Sequence, residues 1–219
     1  MIKLPNFKNS FDYENNFYLS CDNSRIGKFM AHYELFKMSM NKPGSIIECG
    51  VFKGISLIRF AAFRNLLQKR SKKIIGFDMF GEFPKTKFVK DQKMRKKFIK
   101  DSGKSGISKK QLIEILKRKK LNDKIELIQG DVTTTIPKYI EKNPKLKISF
   151  LNLDTDIYEP AVTILEYLYP KIVKGGILVL DDYKVFPGET KAVDEYFAGK
   201  NIKIQKFPFS KTPHYIIKK

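Results

Sequence analysis

The sequence predicts an α/β protein built on a Rossmann-like, doubly wound sheet that ends in an antiparallel hairpin. Three observations predict it. Short apolar runs alternate with stretches of helical periodicity along most of the chain. Acidic residues or glycines follow nearly every apolar run, the position where an open α/β sheet binds its ligands. Two short β-rich runs close the chain, near enough to pair with each other. With 219 residues, 42% of them hydrophobic and 13% aromatic, there is ample material for one core.

Residues 1 to 23 are polar and aromatic without a clear period, and read as an extended arm. From Ser24 the residues Ile26, Phe29, Met30, Tyr33, Phe36 and Met40 recur at helical intervals. Asn23 or Ser24 can cap that helix and Pro43-Gly44 ends it. This gives an N-terminal arm and helix over 1–42, and the main domain over 43–219. Within the domain the predicted order is strand 45–49, helix 54–68, strand 73–77, helix 109–119, strand 124–129, helix 134–141 and strand 147–153. Helix 160–168, strand 176–180, helix 189–198 and the hairpin strands 202–207 and 214–217 follow. The stretch Gly81 to Ser108 breaks this rhythm. It is lysine-rich, with Phe83, Phe88 and Phe98 as its main apolar points, and reads as a lid or insert, or else as a solvated excursion.

The formal charge of +20 raises nucleic acid, an anionic membrane surface or an anionic small substrate as partners. Only six of the 43 basic residues are arginine, and the lysines are dispersed along the chain. Arginine is the better bidentate reader of phosphate and guanine, so the charge does not by itself point to a nucleic-acid partner. Cys21 and Cys49 make neither a disulfide framework nor a zinc site. No signal-peptide pattern or membrane-length apolar run is present. A cytoplasmic location is the expectation.

The residues after each predicted strand carry the chemistry. Glu48-Cys49-Gly50-Val51-Phe52-Lys53-Gly54-Ile55-Ser56 follows the first. Its glycines allow a sharp turn and a close ligand approach, and the next helix offers free N–H groups. Phe52 stands where a dinucleotide fingerprint would carry glycine. The pattern is similar to the E-x-G-x-x-x-G loop of S-adenosylmethionine enzymes, in which Glu48 would compensate a ligand ammonium. A plain strand-to-helix turn is the competing reading. After the second strand, Asp78 with Met79 is placed to accept from ribose hydroxyls, or else to cap a turn. After the third, Gly130-Asp131 suits contact with an adenine edge, or a helix cap.

The sharpest cluster follows strands four and five: Leu153-Asp154-Thr155-Asp156-Ile157-Tyr158 and Leu180-Asp181-Asp182-Tyr183. Carboxylates converging there repel unless a cation or a proton separates them. Oxygen-only ligation suits Mg²⁺, or alternatively Mn²⁺ or Ca²⁺. Such an ion would lower the pKa of a bound hydroxyl. His32 and His214 read as structural, being remote from the predicted ligand-side strand ends. The tyrosines Tyr167, Tyr169, Tyr183 and Tyr196 read as packing.

The segments PGSIIECGVFKGISL, FDMFGEFP, GDVTTTIP, LDTDIYEPAVTILEYLYPKIVKGGILVLDDY and PGETKAVDEYF occur in that order. Together they resemble the macrocin and mycinamicin sugar O-methyltransferase family over roughly Arg25 to Phe197. The resemblance implies a seven-stranded class I methyltransferase fold, S-adenosylmethionine as donor and Mg²⁺ as metal. It implies Asp154, Asp181 and Asp182 as metal ligands, with Asp154 also the general base. Glu48, Gly50, Val51, Ser56, Asp78, Met79, Gly130 and Asp131 fall at or beside its donor-binding positions. The acceptor it implies is a sugar hydroxyl (deoxysugar, glycoside or nucleotide-linked sugar) in natural-product or surface-polysaccharide biosynthesis. The 81–108 segment and the charge depart from the family pattern, and a basic lid would suit an anionic nucleotide-linked sugar. Rival readings are a catechol or small-phenol O-methyltransferase, a nucleic-acid methyltransferase, and a binding module without catalysis. The aromatic N-terminal arm is suited to reaching a second copy in a homo-oligomer.

Overall fold

The computed structural model describes residues 2–219. These form one seven-stranded sheet in the order β3-β2-β1-β4-β5-β7-β6. The strands are β1 (Ser45–Cys49), β2 (Ile74–Asp78), β3 (Ile125–Gln129), β4 (Ile148–Leu153), β5 (Ile172–Leu180), β6 (Gln205–Lys206) and β7 (His214–Ile217). The first five are parallel, and β7 runs antiparallel to both β5 and β6. The central strands are buried on both faces, which is why they read as continuous apolar runs rather than alternating ones. β5 begins four residues before the predicted strand, and β6 keeps only two residues of its predicted six.

Helices cover both faces. On one face α2 (Asn23–Ser39), α3 (Ile55–Leu66) and α5 (Lys109–Arg118) bury Leu35, Phe36, Leu57, Phe60 and Leu112 against Ile46, Phe150 and Val179. On the other, α6 (Val132–Lys142), α7 (Tyr158–Tyr167) and α8 (Pro187–Phe197) bury Ile136, Ile164 and Val193 against Ile47, Phe77 and Leu151. The chain reverses its direction of growth between β1 and β4, which makes their C-terminal tips the switch point of the sheet. No helix among the described residues is long and apolar enough to cross a membrane.

Two regions differ from expectation. Of the expected arm over residues 1 to 23, residue 1 lies outside the described residues, and residues 2–23 are not extended throughout: a 3-10 turn (Phe7–Asn9) leads into helix α1 (Ser10–Ser20). This helix buries none of its residues, so it leaves no amphipathic period in the sequence. The segment 81–108, for which no element was predicted, holds helix α4 (Val89–Ser102). The inward residues of α4 are Asp91, Met94, Arg95, Phe98 and Ile99. Their spacing is helical, but two of the five are charged, and a reading based on hydrophobicity misses them. The cap of α2 also shifts by one residue, to Asp22, whose side chain accepts from Ser24 N–H at 2.8 Å.

Candidate active site

The loops after β1 to β5 meet at the switch point. A cleft there is lined by Gly50, Phe52, Asp78, Met79, Gly81, Glu82, Phe83, Pro84, Gly106, Asp131, Val132, Asp154, Thr155, Asp156 and Pro160. Gly50 explains how two of these loops come together. It has φ +92°, and a Cβ there would lie 1.7 Å from the carbonyl oxygen of Asp154. Any side chain at position 50 would push the glycine loop away from the acidic loop, so glycine serves the loop-to-loop approach directly.

On the β1–β3 side the acids are held by main chain. Val51 and Phe52 N–H donate to Asp78 Oδ2 at 2.8 and 3.0 Å, and Phe80 N–H donates to Oδ1 at 2.5 Å. Burial pushes the Asp78 pKa up, while these three bonds oppose that shift. Asp131 caps α6, accepting from Thr133 N–H at 2.9 Å and from its hydroxyl at 2.7 Å. Both residues therefore adopt the capping geometry weighed from the sequence, and both also line the cleft.

Glu48 sits beneath the loop, wholly buried. Its Oε1 accepts from Asn152 Nδ2 at 3.2 Å, its partner across β1 and β4, the Ser56 hydroxyl also bears on the carboxyl, and among the described residues Oε2 has no close hydrogen-bond partner. Burial pushes its pKa up to about 8. Of the expected donor-site residues, Gly50, Asp78, Met79 and Asp131 line the cleft, whereas Glu48, Val51, Ser56 and Gly130 are not among its lining residues.

On the β4–β5 side the three expected metal ligands converge. Carboxylate oxygens of Asp154, Asp181 and Asp182 lie within 4.8 Å of one another. Pairing of Leu153 with Leu180 sets Asp154 and Asp181 side by side at adjacent strand tips. Burial, and then Asp181's charge, push the Asp154 pKa well above the carboxylate range. Burial and the neighbouring carboxylates raise Asp156, Asp182 and Glu189 as well. Asp181 goes the other way. Burial opposes its ionisation, but the Lys28 charge and hydrogen bonds from His32 and Lys28 outweigh it and hold Asp181 ionised.

Those two partners of Asp181 were missed in the sequence. His32 was expected to be remote from the ligand-side strand ends, yet its Nε2 lies 3.0 Å from Asp181 Oδ1. Arg59 Nη1 donates to His32 Nδ1 at 3.0 Å, so His32 must carry its proton on Nε2 and donate it to Asp181. Burial lowers the His32 pKa and keeps the ring neutral. The Lys28 ammonium pairs with Asp181 Oδ2. Lys28 and His32 are one helical turn apart on α2, which packs against β5. That spacing of two polar residues on a buried helix face was the available signal. His214, by contrast, stacks edge-on to Tyr183 at 5.2 Å, and Tyr169 packs against Tyr196 at 5.6 Å, as expected of core residues.

Helix α4 roofs this arrangement. Phe98 meets Phe52 and Phe83 of the cleft at 5.2 Å each. Buried Asp91 accepts from Tyr158 N–H at 2.9 Å and Gly188 N–H at 2.7 Å, at the starts of α7 and α8. A Cβ on Gly188 would lie 1.9 Å from Asp91 Oδ2, so glycine is required at that contact. One carboxylate thus ties the insert to both helices that follow the acidic loops.

Comparison with known proteins places the chain in a family. The chain is 27% identical over 162 residues to demethyldecarbamoylnovobiocin O-methyltransferase of Streptomyces niveus, covering 72% of this chain and 60% of the relative. It is 26% identical over 147 residues to 8-demethyl-8-(2,3-dimethoxy-alpha-L-rhamnosyl)-tetracenomycin-C 4'-O-methyltransferase of Streptomyces olivaceus, covering 65% of this chain and 54% of the relative. The chain therefore spans somewhat over half the length of these curated relatives. The crystal structure of CalS11, a calicheamicin methyltransferase, matches with a TM-score of 0.78 and 26% identity, over 95% of this chain and 85% of that one. That superposition identifies the fold as the Rossmann-like one of class I methyltransferases. The model of the family Macrocin-O-methyltransferase (TylF) matches residues 23–211, and the chain belongs to that family.

Proposed function

We propose that this chain transfers a methyl group from S-adenosylmethionine to a hydroxyl of a sugar-bearing small molecule, assisted by Mg²⁺ at Asp154, Asp181 and Asp182. The observation that carries the reading is the meeting of those three carboxylates beside the Gly50 loop, with Asp154 facing both the cleft and the cluster. One carboxylate oxygen from each of the three residues lies within 4.8 Å of the others, so a single cation could be held by all three. The donor set is oxygen-only and strongly anionic, which is the chemistry a hard divalent cation selects.

The donor brings an already activated methyl group, and the metal supplies a Lewis acid that makes the acceptor hydroxyl more acidic. The chain's own residues do the remaining work. Asp78 fixes the glycine loop against which the donor is to lie, and it retains lone pairs for the ribose hydroxyls. Unpartnered Glu48 Oε2 is an acceptor left free for the donor's ammonium. Asp154, at the cleft face, would take the hydroxyl proton once a cation at the cluster offsets the burial and neighbouring charges that favour its neutral form. Phe52, Phe83 and Phe98 keep water from the alignment of oxygen, methyl carbon and sulfur.

The acceptor class follows the rhamnosyl group named for the Streptomyces olivaceus relative. The lysine-rich α4 insert over the cleft suits a nucleotide-linked sugar within that class through its overall positive charge, its lysines being exposed on the outward face. Methyl transfer from labelled donor to deoxysugar glycosides, nucleotide-linked sugars, catechols and RNA, each with Mg²⁺ and with EDTA, tests the reading. Mg²⁺-dependent transfer to a sugar is expected. Turnover only of a catechol or of RNA would overturn the acceptor class, and full turnover in EDTA would overturn the metal.

A further inference from the structure

The carboxylates assigned to the metal are not equally free to take it. Asp181 is 1% exposed and both its oxygens are engaged: Oδ1 by His32 and Oδ2 by Lys28. The two partners differ in how firmly they are fixed. His32 is wholly buried, neutral and held from behind by Arg59. Lys28 reaches in on a flexible four-carbon stem and its side chain is 24% exposed, so it has a way out to solvent. Its ammonium also bears on Asp154 and Asp182. One positive charge therefore faces the three carboxylates that a divalent ion would need.

We propose that Lys28 is a displaceable counter-ion of the metal site: it holds the Asp181 oxygen that the divalent ion takes, and metal entry expels the ammonium to solvent while His32 stays bound. The inference rests on the metal reading above. Two cations cannot share one carboxylate oxygen at contact distance in a buried site without strong repulsion. His32 cannot make way, because Asp181 Oδ1 would lose its only donor in a dry interior. The exchange keeps the cluster partly neutralised in the metal-free protein, where three bare carboxylates would repel. Its cost is a weaker metal affinity than the ligands alone would give.

The exchange is read by titrating the full chain with MgCl₂ in a calorimeter, wild type against Lys28→Met and Lys28→Gln. Both variants should bind Mg²⁺ at least about tenfold more tightly, and should lose more thermal stability than wild type in EDTA, recovering it in Mg²⁺. Equal or weaker binding by the variants overturns the exchange while leaving the metal site standing. No binding by any of the three proteins overturns the metal reading and this inference with it. A second measurement needs no substitution. Acylation of the Lys28 amine in wild type, followed by peptide mass spectrometry, should rise several-fold at saturating Mg²⁺. Unchanged protection at metal saturation overturns the proposal even if the variants fail to fold.

Discussion

Asp78 ends β2 and Asp181 follows β5 on opposite halves of one sheet, the first half-buried and the second buried, and their charges are met by opposite means. Asp78 takes three N–H groups from its own turn and from the adjacent glycine loop, none more than 28 residues away. Asp181 takes side chains from α2, 149 and 153 residues away in sequence. Backbone donors cannot leave without unfolding the loop, whereas a lysine ammonium can. On the proposed reading, the half that takes the donor is a rigid cradle, and the half that takes the metal is a set of acids whose compensating charge can be exchanged. The distinction matters because donor recognition needs a fixed shape, while metal binding at a carboxylate cluster needs protons or cations to depart.

The largest effect expected from breaking this contrast is on the metal half. If Asp154 is the base and a metal ligand as proposed, Asp154→Asn removes the one and weakens the other, so methyl transfer should fall by at least about a thousandfold. Donor binding by calorimetry should stay as in wild type, because Asp78 and the glycine loop are untouched. Near-normal turnover of this variant would remove Asp154 from the reaction.

Glu48 offers the next largest effect and separates protonation from exchange. With its pKa pushed up to about 8, it folds best as the neutral acid. Its contribution is fully present below the ordinary value of 4.5 and is lost as pH rises toward 8. Glu48→Gln mimics the neutral acid at every pH. At pH 7 and without donor, the variant should be more stable than wild type by on the order of 3 kcal/mol. The two should match at pH 4. His32 titrates in both proteins and cancels from the comparison. Chemical denaturation at the two pH values measures this, and parallel curves would show that Glu48 is already ionised in the metal-free, donor-free protein.

Asp78→Ala tests the rigid half. It strips the acceptor from the N–H groups of Val51, Phe52 and Phe80. Because the site is next to a cleft, water can replace part of the loss, and about 2 kcal/mol of stability should go. The apparent KM for donor should rise more than kcat falls. A fall in kcat alone would mean that the loop shape is set by something other than this carboxylate.

How much of this was legible follows the same division. The parallel core strands and the helices between them were readable because each buries an apolar run or stripe. The acids at the strand tips were readable because their position after a strand carries the information. Helix α1 left no trace because nothing in it is buried, and α4 was hidden because Asp91 and Arg95 occupy its inward face. Arg95 there donates to the carbonyls of Pro84 and Phe83 at 2.5 and 2.7 Å, a use of charge that hydrophobic periodicity reads as exposure. The one-turn spacing of Lys28 and His32 on α2 was a local signal, but what they and Arg59 face was not legible in the sequence. Their role comes from α2 and α3 packing on the face where β5 ends, a contact that only the folded sheet makes.

Asp131 gives the smallest and most diagnostic effect, because its capping and donor-binding roles can be separated by chemistry. Its carboxylate caps α6 through Thr133 and also lines the cleft. Asparagine caps a helix about as well as aspartate, whereas alanine costs about 1 kcal/mol. Asp131→Asn should therefore leave thermal stability unchanged and Asp131→Ala should lower it slightly. If the carboxylate serves only the helix, Asp131→Asn will also leave the donor KM unchanged. If it accepts from the adenine edge, the amide presents one oxygen in place of two and a donor group where an acceptor stood, so KM should rise severalfold without any change in stability. The second outcome is expected, since a charge lining the cleft at the tip of β3 does more than its cap requires.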